Sequence, residues 1–354
     1  HKYPSAIATP CNLTTGASQS IAQEITAQNV RTGDGSRQKG PTRQTAAKIA
    51  SLPCKFKHFT FRIFEGGWSG ESLTFNSREF GSVPTIFITD LDGTLLGHDD
   101  FGFAVIRDDI LSFLERGVAI IPNSSKTRRE IEHFCGELGV TLPFVCENGA
   151  ALVNANLLWG TPDALAPRQI DVGISVERLM SMWVHSVEPG LRMRCDFLDA
   201  MEEAEQSRIL GLSGDHLARA LAREFSVLFL FNGDEGEFLR LRSQLQNAGL
   251  AVHRGGRVCC LSSQHDKSTF NHIIRDGCMA ENPAPLIIGF GDSENDVSLL
   301  CASDVACVVP RPGATLPALP DPPENVIIAP EPAPAGWIIA ANAAFRRIQP
   351  EMEA

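Results

Sequence analysis

The sequence contains no run of about eighteen uncharged apolar residues, so it offers no segment able to cross a bilayer as a helix. It has no surplus of basic charge either. Lys and Arg number 31 against 42 Asp and Glu, a formal charge of -11 that argues against nucleic acid or an anionic membrane as the main partner. Ten cysteines are present, yet no grouping, the adjacent Cys259 and Cys260 included, has the spacing of a zinc site. They read as reduced thiols of a cytoplasmic protein, many of them core residues. The N-terminal stretch lacks a clear signal-peptide apolar region, although it is poor in acid and rich in Ser, Thr and Gln. No internal repeat is found.

What is there is a chain of 354 residues with 43% hydrophobic and 21% charged content, enough for a sizeable core and two domains. Its charge is uneven. Residues 1–80 hold ten Lys and Arg against five Asp and Glu, so the remainder stands at -16. Residues 1–52 are polar and weakly periodic, which fits a flexible extension. Within residues 53–83, "FKHFTFRIF" alternates and suggests an added edge strand or a linker.

From Pro84 the pattern sharpens. "TIFITD" reads as a strand, "DDILSFLERG" as a helix closed by Gly117, "VAIIPNSS" as a strand and "KTRREIEHFCGELG" as a helix closed by Gly139. "PFVCENGAALV" adds two short strands around an "ENG" turn. Such alternation implies crossover units on a parallel sheet, with chemistry at the carboxyl ends of its strands. Residues 163–261 change character to helices interleaved with about three strands, an α+β module inserted in the larger fold. The parallel pattern returns at 262–345, where "APLIIGFGDSENDVSLL" supplies a strand and helix. Residues 311–336 are Pro-rich and read as an extended surface segment, followed by a short helix from Trp337 and a tail at 346–354.

"FITDLDGTLLGHD", residues 87–99, ends a buried-strand pattern with two carboxylates, Asp90 and Asp92. Ser124 follows the second strand, Lys267 opens a later helix, and Asp292 and Asp296 follow "LIIGFGD". On an α/β sheet these groups converge on one edge. Four carboxylates together require a cation, and oxygen ligands suit Mg²⁺. Taken singly, each fragment has a plainer reading: "DLDGT" as a turn, Ser124 or Lys267 as a helix cap or solvated side chain, "GDSEND" as a helix start.

Together, "DLDGTLL", "NSSKT", "DKS" and "GFGDSENDVSLL" resemble the four ordered motifs of haloacid dehalogenase-type phosphatases. That resemblance implies a Rossmann-like parallel sheet core with an inserted α+β cap domain. It makes Asp90 the nucleophile on phosphorus and Asp92 the general acid and base, with Ser124 and Lys267 completing the catalytic set. Mg²⁺ would be held by the Asp90 carboxylate, the Asp92 carbonyl and Asp292, with Asn295 or Asp296 orienting its waters. Gly93 and Thr94 permit the turn that aims Asp92 inward.

Further stretches, "PFVCENGAALV", "GLSGDHLARALAREFS", "AGLAVHRGGR" and "VVPRPG", resemble the mannosyl-3-phosphoglycerate phosphatases over nearly all of residues 84–345. The implied partner is a small phosphorylated sugar, converted to mannosylglycerate, a compatible solute. Its carboxylate and phosphate call for cations, for which Ser125, Lys126, Asn148, Arg254 and Arg257 are the substrate-binding candidates, with Arg128 equally readable as a solvated side chain. Two departures bear on the sugar: the family's acidic group near Ser226–Phe229 is absent, and Ser268 replaces a glycine. Glucosyl-3-phosphoglycerate and sucrose 6-phosphate therefore stay open as substrates, as do a phosphomutase and a non-catalytic sugar-phosphate binder.

Overall fold

The apolar run Thr85–Thr89 is a strand in which every residue is buried, at the centre of a parallel sheet. The protein is described here by a computed structural model that covers residues 59–62, 72–75, 85–98, 101–158, 167–255, 257–278 and 284–348, all within the unit Cys54–Ala354. The expected extension at 1–52 and the end of the expected tail, 349–354, lie outside the described residues.

Strands β1 (Phe59–Arg62) and β2 (Ser72–Phe75) pair antiparallel with each other, Phe59 opposite Phe75. The stretch expected as an edge strand is thus half of a hairpin. The core begins with β3 (Thr85–Thr89), α1 (Arg107–Glu115), β4 (Ala119–Pro122) and α2 (Arg128–Leu138). Local chemistry sets these limits. Thr127 caps α2, accepting from the Glu130 amide while the Glu130 carboxylate returns to the Thr127 amide, and Gly139 ends the helix at φ 84, a left-handed angle that suits glycine.

Next come β5 (Phe144–Cys146), β6 (Ala151–Val153) and β7 (Gln169–Asp171), an antiparallel trio joined to β4 through a parallel bridge between Asn123 and Val145. β7 lies inside the stretch expected to belong to the inserted module, yet it pairs with β6. The alternating sequence around it gave no hint of which sheet it would join.

The inserted part runs through α3 (Val176–Ser186), α4 (Pro189–Arg192), β8 (Cys195–Phe197), α5 (Glu203–Leu210), α6 (Gly214–Leu221), β9 (Ser226–Phe231), α7 (Glu235–Asn247), β10 (Leu250–Arg254) and β11 (Cys259–Ser263). Its sheet has four antiparallel strands in the order β10-β11-β9-β8, one more than the sequence suggested, because β8 is only three residues long. Alternation gives this sheet two different faces. Leu250, Val252, Cys259, Leu261 and Phe229 turn to a second hydrophobic core, where Leu179 and Trp183 of α3 and Phe238, Leu241 and Leu245 of α7 cover them. Ser226, Leu228, Cys260, Ser262 and His253 occupy the opposite face by register.

The chain then returns through α8 (Asn271–Cys278), β12 (Leu286–Gly291), α9 (Val297–Cys301), β13 (Val305–Val308), β14 (Asn325–Ile328) and α10 (Ala335–Ile348). The completed core sheet is wholly parallel, in the order β14-β13-β12-β3-β4. Two expectations need correction here. The Pro-rich segment is not simply an extended surface: its Asn325–Ile328 is the fifth parallel strand, which can tolerate prolines on either side because it lies at the sheet edge. The closing helix is also long, fourteen residues, and buried along one side.

That burial centres on Trp337, fully buried, whose ring meets those of Phe87, Phe113 and Phe290 at 5.4–6.2 Å while its Nε1 donates to Thr89 Oγ1 at 3.0 Å. The indole thus fixes α10 against the strand that ends in Asp90. Trp337→Ala is expected to lower the unfolding free energy by about 3–5 kcal/mol in urea titration. A loss below about 1 kcal/mol would mean that this contact does not anchor the helix.

Candidate active site

Asp90 is the first residue beyond β3, and its amide donates to the Phe290 carbonyl of β12 at 3.0 Å. Chain order reverses between these two strands, since β4 adjoins β3 on one side and β12 on the other. A doubly wound sheet opens its crevice at such a point. Asp292, one residue past β12, faces Asp90 across it.

Lys267 bridges Asp90 and Asp296: its side chain has no solvent exposure and its Nζ lies 2.6 Å from Asp90 Oδ1 and 2.5 Å from Asp296 Oδ1. It lies in the turn before α8 rather than opening that helix, and its carbonyl accepts from Asn123 Nδ2 at 2.7 Å. The second Asp296 oxygen is filled by the amides of Asp292 and Ser293, both at 3.0 Å. Burial works against charge on Lys267, but Asp296 and Asp90 hold its ammonium above the usual range. Asp296 is held below its ordinary value, the pull of Lys267 and the two amides outweighing burial. Asp90 goes the other way: burial, with Asp296 and Asp292 adding, pushes it up to about 8 against the pull of Lys267.

Asp292 is pushed up to about 6 by burial and by Asp296. Arg311 Nε stands 3.1 Å from its Oδ2, but out of hydrogen-bond alignment, so both atoms remain buried without a hydrogen bond. Gly93 makes this packing feasible. It adopts φ +79, and a Cβ there would come within 2.5 Å of Asp292 Oδ2.

Asp90, Asp292 and Asp296 offer carboxylate oxygens within 4.8 Å of one another. With Asp296 filled by Lys267 and backbone, the buried and unbonded Asp292 Oδ2 and the high Asp90 value mark a deficit of positive charge. A hard divalent cation such as Mg²⁺ fits that donor set.

The Asp92 side chain turns to the motif after β4, where its Oδ2 lies 2.9 Å from Lys126 Nζ and its Oδ1 is buried with no hydrogen bond. Burial opposes the Lys126 charge, but Asp92 and then Glu130, at 3.6 Å, raise its pKa overall. Ser124 is 1% exposed, and its hydroxyl accepts from the Lys126 amide at 3.3 Å. Asn148 Oδ1 accepts from Asn295 Nδ2 at 3.4 Å, which brings two more of the expected residues to this edge.

The two cap arginines expected to bind substrate, Arg254 and Arg257, line the cleft shared with Lys126 and Lys267, and each also has a partner within the cap. Arg254 shares the helix-covered side of its strand with Val252, pairs with Glu235 at 2.8 Å and lies 3.7 Å over the Phe238 ring. Arg257 Nη1 donates to the Leu210 carbonyl. Arg128 pairs with Glu132 at 2.8 Å.

Other residues matter that the sequence reading did not assign. Glu147, 2% exposed and at φ 48, accepts from the amides of Glu224 and Phe225 at 2.8 and 3.2 Å and from Ser226 Oγ at 2.5 Å. Its own amide donates to Lys126 O at 2.9 Å, and its carbonyl meets His265 Nε2 at 3.1 Å. It joins the Lys126 loop, the start of β9 and the return crossing from the cap. The signal was present: "FVCE", like "FITD", ends an apolar strand in a carboxylate. Arg223 lies beside it, and nothing in its polar surroundings in the sequence marks it. A cleft of roughly 1820 Å³ takes lining from both parts, including Asp92, Lys126 and Lys267 from the core and Arg223, His253 and Cys260 from the cap.

Residues 87–158 match the haloacid dehalogenase-like hydrolase family. The chain is 28% identical over 275 residues to a glucosyl-3-phosphoglycerate/mannosyl-3-phosphoglycerate phosphatase of Persephonella marina, covering 76% of this chain and 98% of that protein. A protein of the same description from Methanococcoides burtonii is 26% identical over 232 residues, covering 64% of this chain and 85% of the other. Among solved structures, a haloacid dehalogenase-like hydrolase from Bacteroides thetaiotaomicron superposes with TM-score 0.51 at 15% identity, over 75% of this chain and 99% of its own. A HAD/COF-like hydrolase from Plasmodium vivax gives TM-score 0.53 at 17% identity, over 76% and 98%. These two likenesses speak for the fold: a parallel α/β core of this type.

The raised carboxyls link stability to pH. A group whose folded pKa exceeds its unfolded value stabilises below the unfolded value and loses that contribution as pH rises through the folded one. For Asp90 the window runs from its ordinary 3.8 to about 8, and for Asp292 to about 6. A bound cation favours the ionised forms. The gain in melting temperature on adding Mg²⁺ to EDTA-treated protein should therefore grow from about pH 5 to about pH 8. A gain that is flat or largest at low pH would contradict the assignment.

Proposed function

Given a chain that is a phosphatase of the haloacid dehalogenase-like type, we propose that it hydrolyses the phosphomonoester of a glycosyl-3-phosphoglycerate, mannosyl or glucosyl, through a phosphorylated Asp90. The observation that carries the reading is the buried Asp90–Lys267 pair at the switch point of the sheet, with Asp292 facing it. A neutralised carboxylate fixed at a strand end is an attacking group in place, and the relatives act on the two glycosyl esters that their names give.

In the proposed reaction Asp90 attacks phosphorus, forming the acyl phosphate bond as the P–O bond to the glycerate oxygen breaks. Asp92 delivers a proton to that leaving oxygen, a role supported by an Oδ1 that is buried without a hydrogen bond. Asp92 then takes a proton from water, which attacks phosphorus and releases Asp90 and inorganic phosphate. Ser124 donates to a phosphoryl oxygen, while Lys267 balances charge on Asp90 and on the transferring group. Mg²⁺, held by the Asp90 and Asp292 carboxylates and the Asp92 carbonyl with Asn295 and Asp296 behind them, would offset the repulsion between Asp90 and the incoming phosphate. Lys126 and Asn148, with Ser125, edge the cleft where the rest of the substrate lies. The products are phosphate and a glycosylglycerate of the compatible-solute kind.

The test is phosphate release with Mg²⁺ from mannosyl-3-phosphoglycerate and glucosyl-3-phosphoglycerate beside sucrose 6-phosphate and an aryl phosphate. Either glycosyl-3-phosphoglycerate should lead, and a leading sucrose 6-phosphate would overturn the substrate. Asp90→Asn should lower kcat by more than about a thousandfold with the circular dichroism spectrum unchanged. EDTA should silence turnover and Mg²⁺ restore it.

A further inference from the structure

The cations of the cleft are mostly paired. Lys267 is held by Asp90 and Asp296, Lys126 by Asp92 and Glu130, Arg311 by Asp292 and Arg254 by Glu235. Arg223 differs. Its Nη1 donates to two uncharged oxygens, Ser226 Oγ at 2.9 Å and Ser125 O at 3.4 Å, and its Nε is buried without any partner. It belongs to none of the ion pairs among the described residues. The carboxylate next in line, Glu147, is separated from it by the Ser226 hydroxyl and already filled by that hydroxyl and two amides. A half-buried guanidinium in this position is a charge whose partner is missing.

Its location says which partner would fit. The bond to Ser125 O sets Arg223 on the loop that carries Ser124, beside the place proposed for the phosphoryl group, although Arg223 itself comes from the cap. The phosphoryl charge has Lys267 and the cation site to meet it. An anion on the leaving alcohol, a short distance from the ester oxygen, would meet Arg223 from the cap side.

We infer that Arg223 is a specificity-determining residue that binds a carboxylate carried by the leaving alcohol, so that the enzyme selects phosphoesters of hydroxy acids. The inference rests on the proposed phosphatase site and extends it to a subsite. Guanidinium and carboxylate match in planar geometry, and the Glu147–Ser226 pair holds the arginine in place for that fit.

Two small probes isolate the carboxylate: 3-phosphoglycerate and glycerol 3-phosphate, which differ in a carboxylate against a hydroxymethyl group. The wild-type enzyme should favour the former in kcat/KM. Arg223→Gln should cut that preference by about a hundredfold, mainly through KM, and Arg223→Lys should restore part of it. An equal loss on both probes would make Arg223 a structural or phosphoryl-binding residue and overturn the inference, as would a wild-type enzyme indifferent to the carboxylate. Should Arg223→Gln fail to fold, the ratio measured for Arg223→Lys decides: an unchanged ratio overturns the inference and a reduced one supports it. The same assay separates this idea from the sugar reading. An enzyme that prefers 3-phosphoglycerate over glycerol 3-phosphate yet ignores both glycosyl esters keeps the subsite and loses the proposed substrate.

Discussion

An ammonium group sealed from solvent holds this site together: Lys267 Nζ, 2.6 Å from Asp90 and 2.5 Å from Asp296. Removing either kind of partner would leave a charge uncompensated in the interior, where such a loss costs several kcal/mol, on the order of 3–5. The lysine therefore dictates where its neighbours stand. Asp90 must end β3, Asp296 must follow the turn after β12, and the chain must come back from the cap at the level of their carboxyl ends. The parallel sheet meets those demands because its strand order reverses between β3 and β12.

The cap is fastened to the same point. Glu147 touches the loop of Lys126, the start of β9 and His265, two residues before Lys267. Ile174, on the outward crossing, donates to Ser263 Oγ on the return, so the two connecting segments are tied to each other as well. The cap and the core edge that carries Asp90 and Lys267 thus share one hydrogen-bonded junction.

Much of this was legible in the chain. The Ile-Phe-Ile run flanked by threonines before Asp90 and a Thr-x-x-Glu box with a terminal glycine around α2 are local signals, and local signals survive without knowledge of the fold. The convergence of Asp90, Asp292 and Asp296 was expected from the strands they follow, and that of Lys267 from a helix start that proves to be the turn before α8. Other features are not local. β14 hides among prolines because a parallel edge strand needs only a neighbour, and β7 joins a sheet that its own residues cannot name. That Glu235, Phe238 and the Leu210 carbonyl would meet Arg254 and Arg257 is likewise a matter of the fold and not of the local sequence. Arg223 looked unremarkable for the same reason, since its isolation is visible only in the surroundings that lack a counter-ion.

The central claim is that Asp90 takes the phosphoryl group, and the direct measurement is mass spectrometry of enzyme quenched in acid during turnover of mannosyl-3-phosphoglycerate with Mg²⁺. The account predicts a phosphoryl adduct on the peptide that contains Asp90, located at that side chain and lost after the substrate is exhausted. Full turnover with no adduct there, or an adduct on another residue, would contradict it.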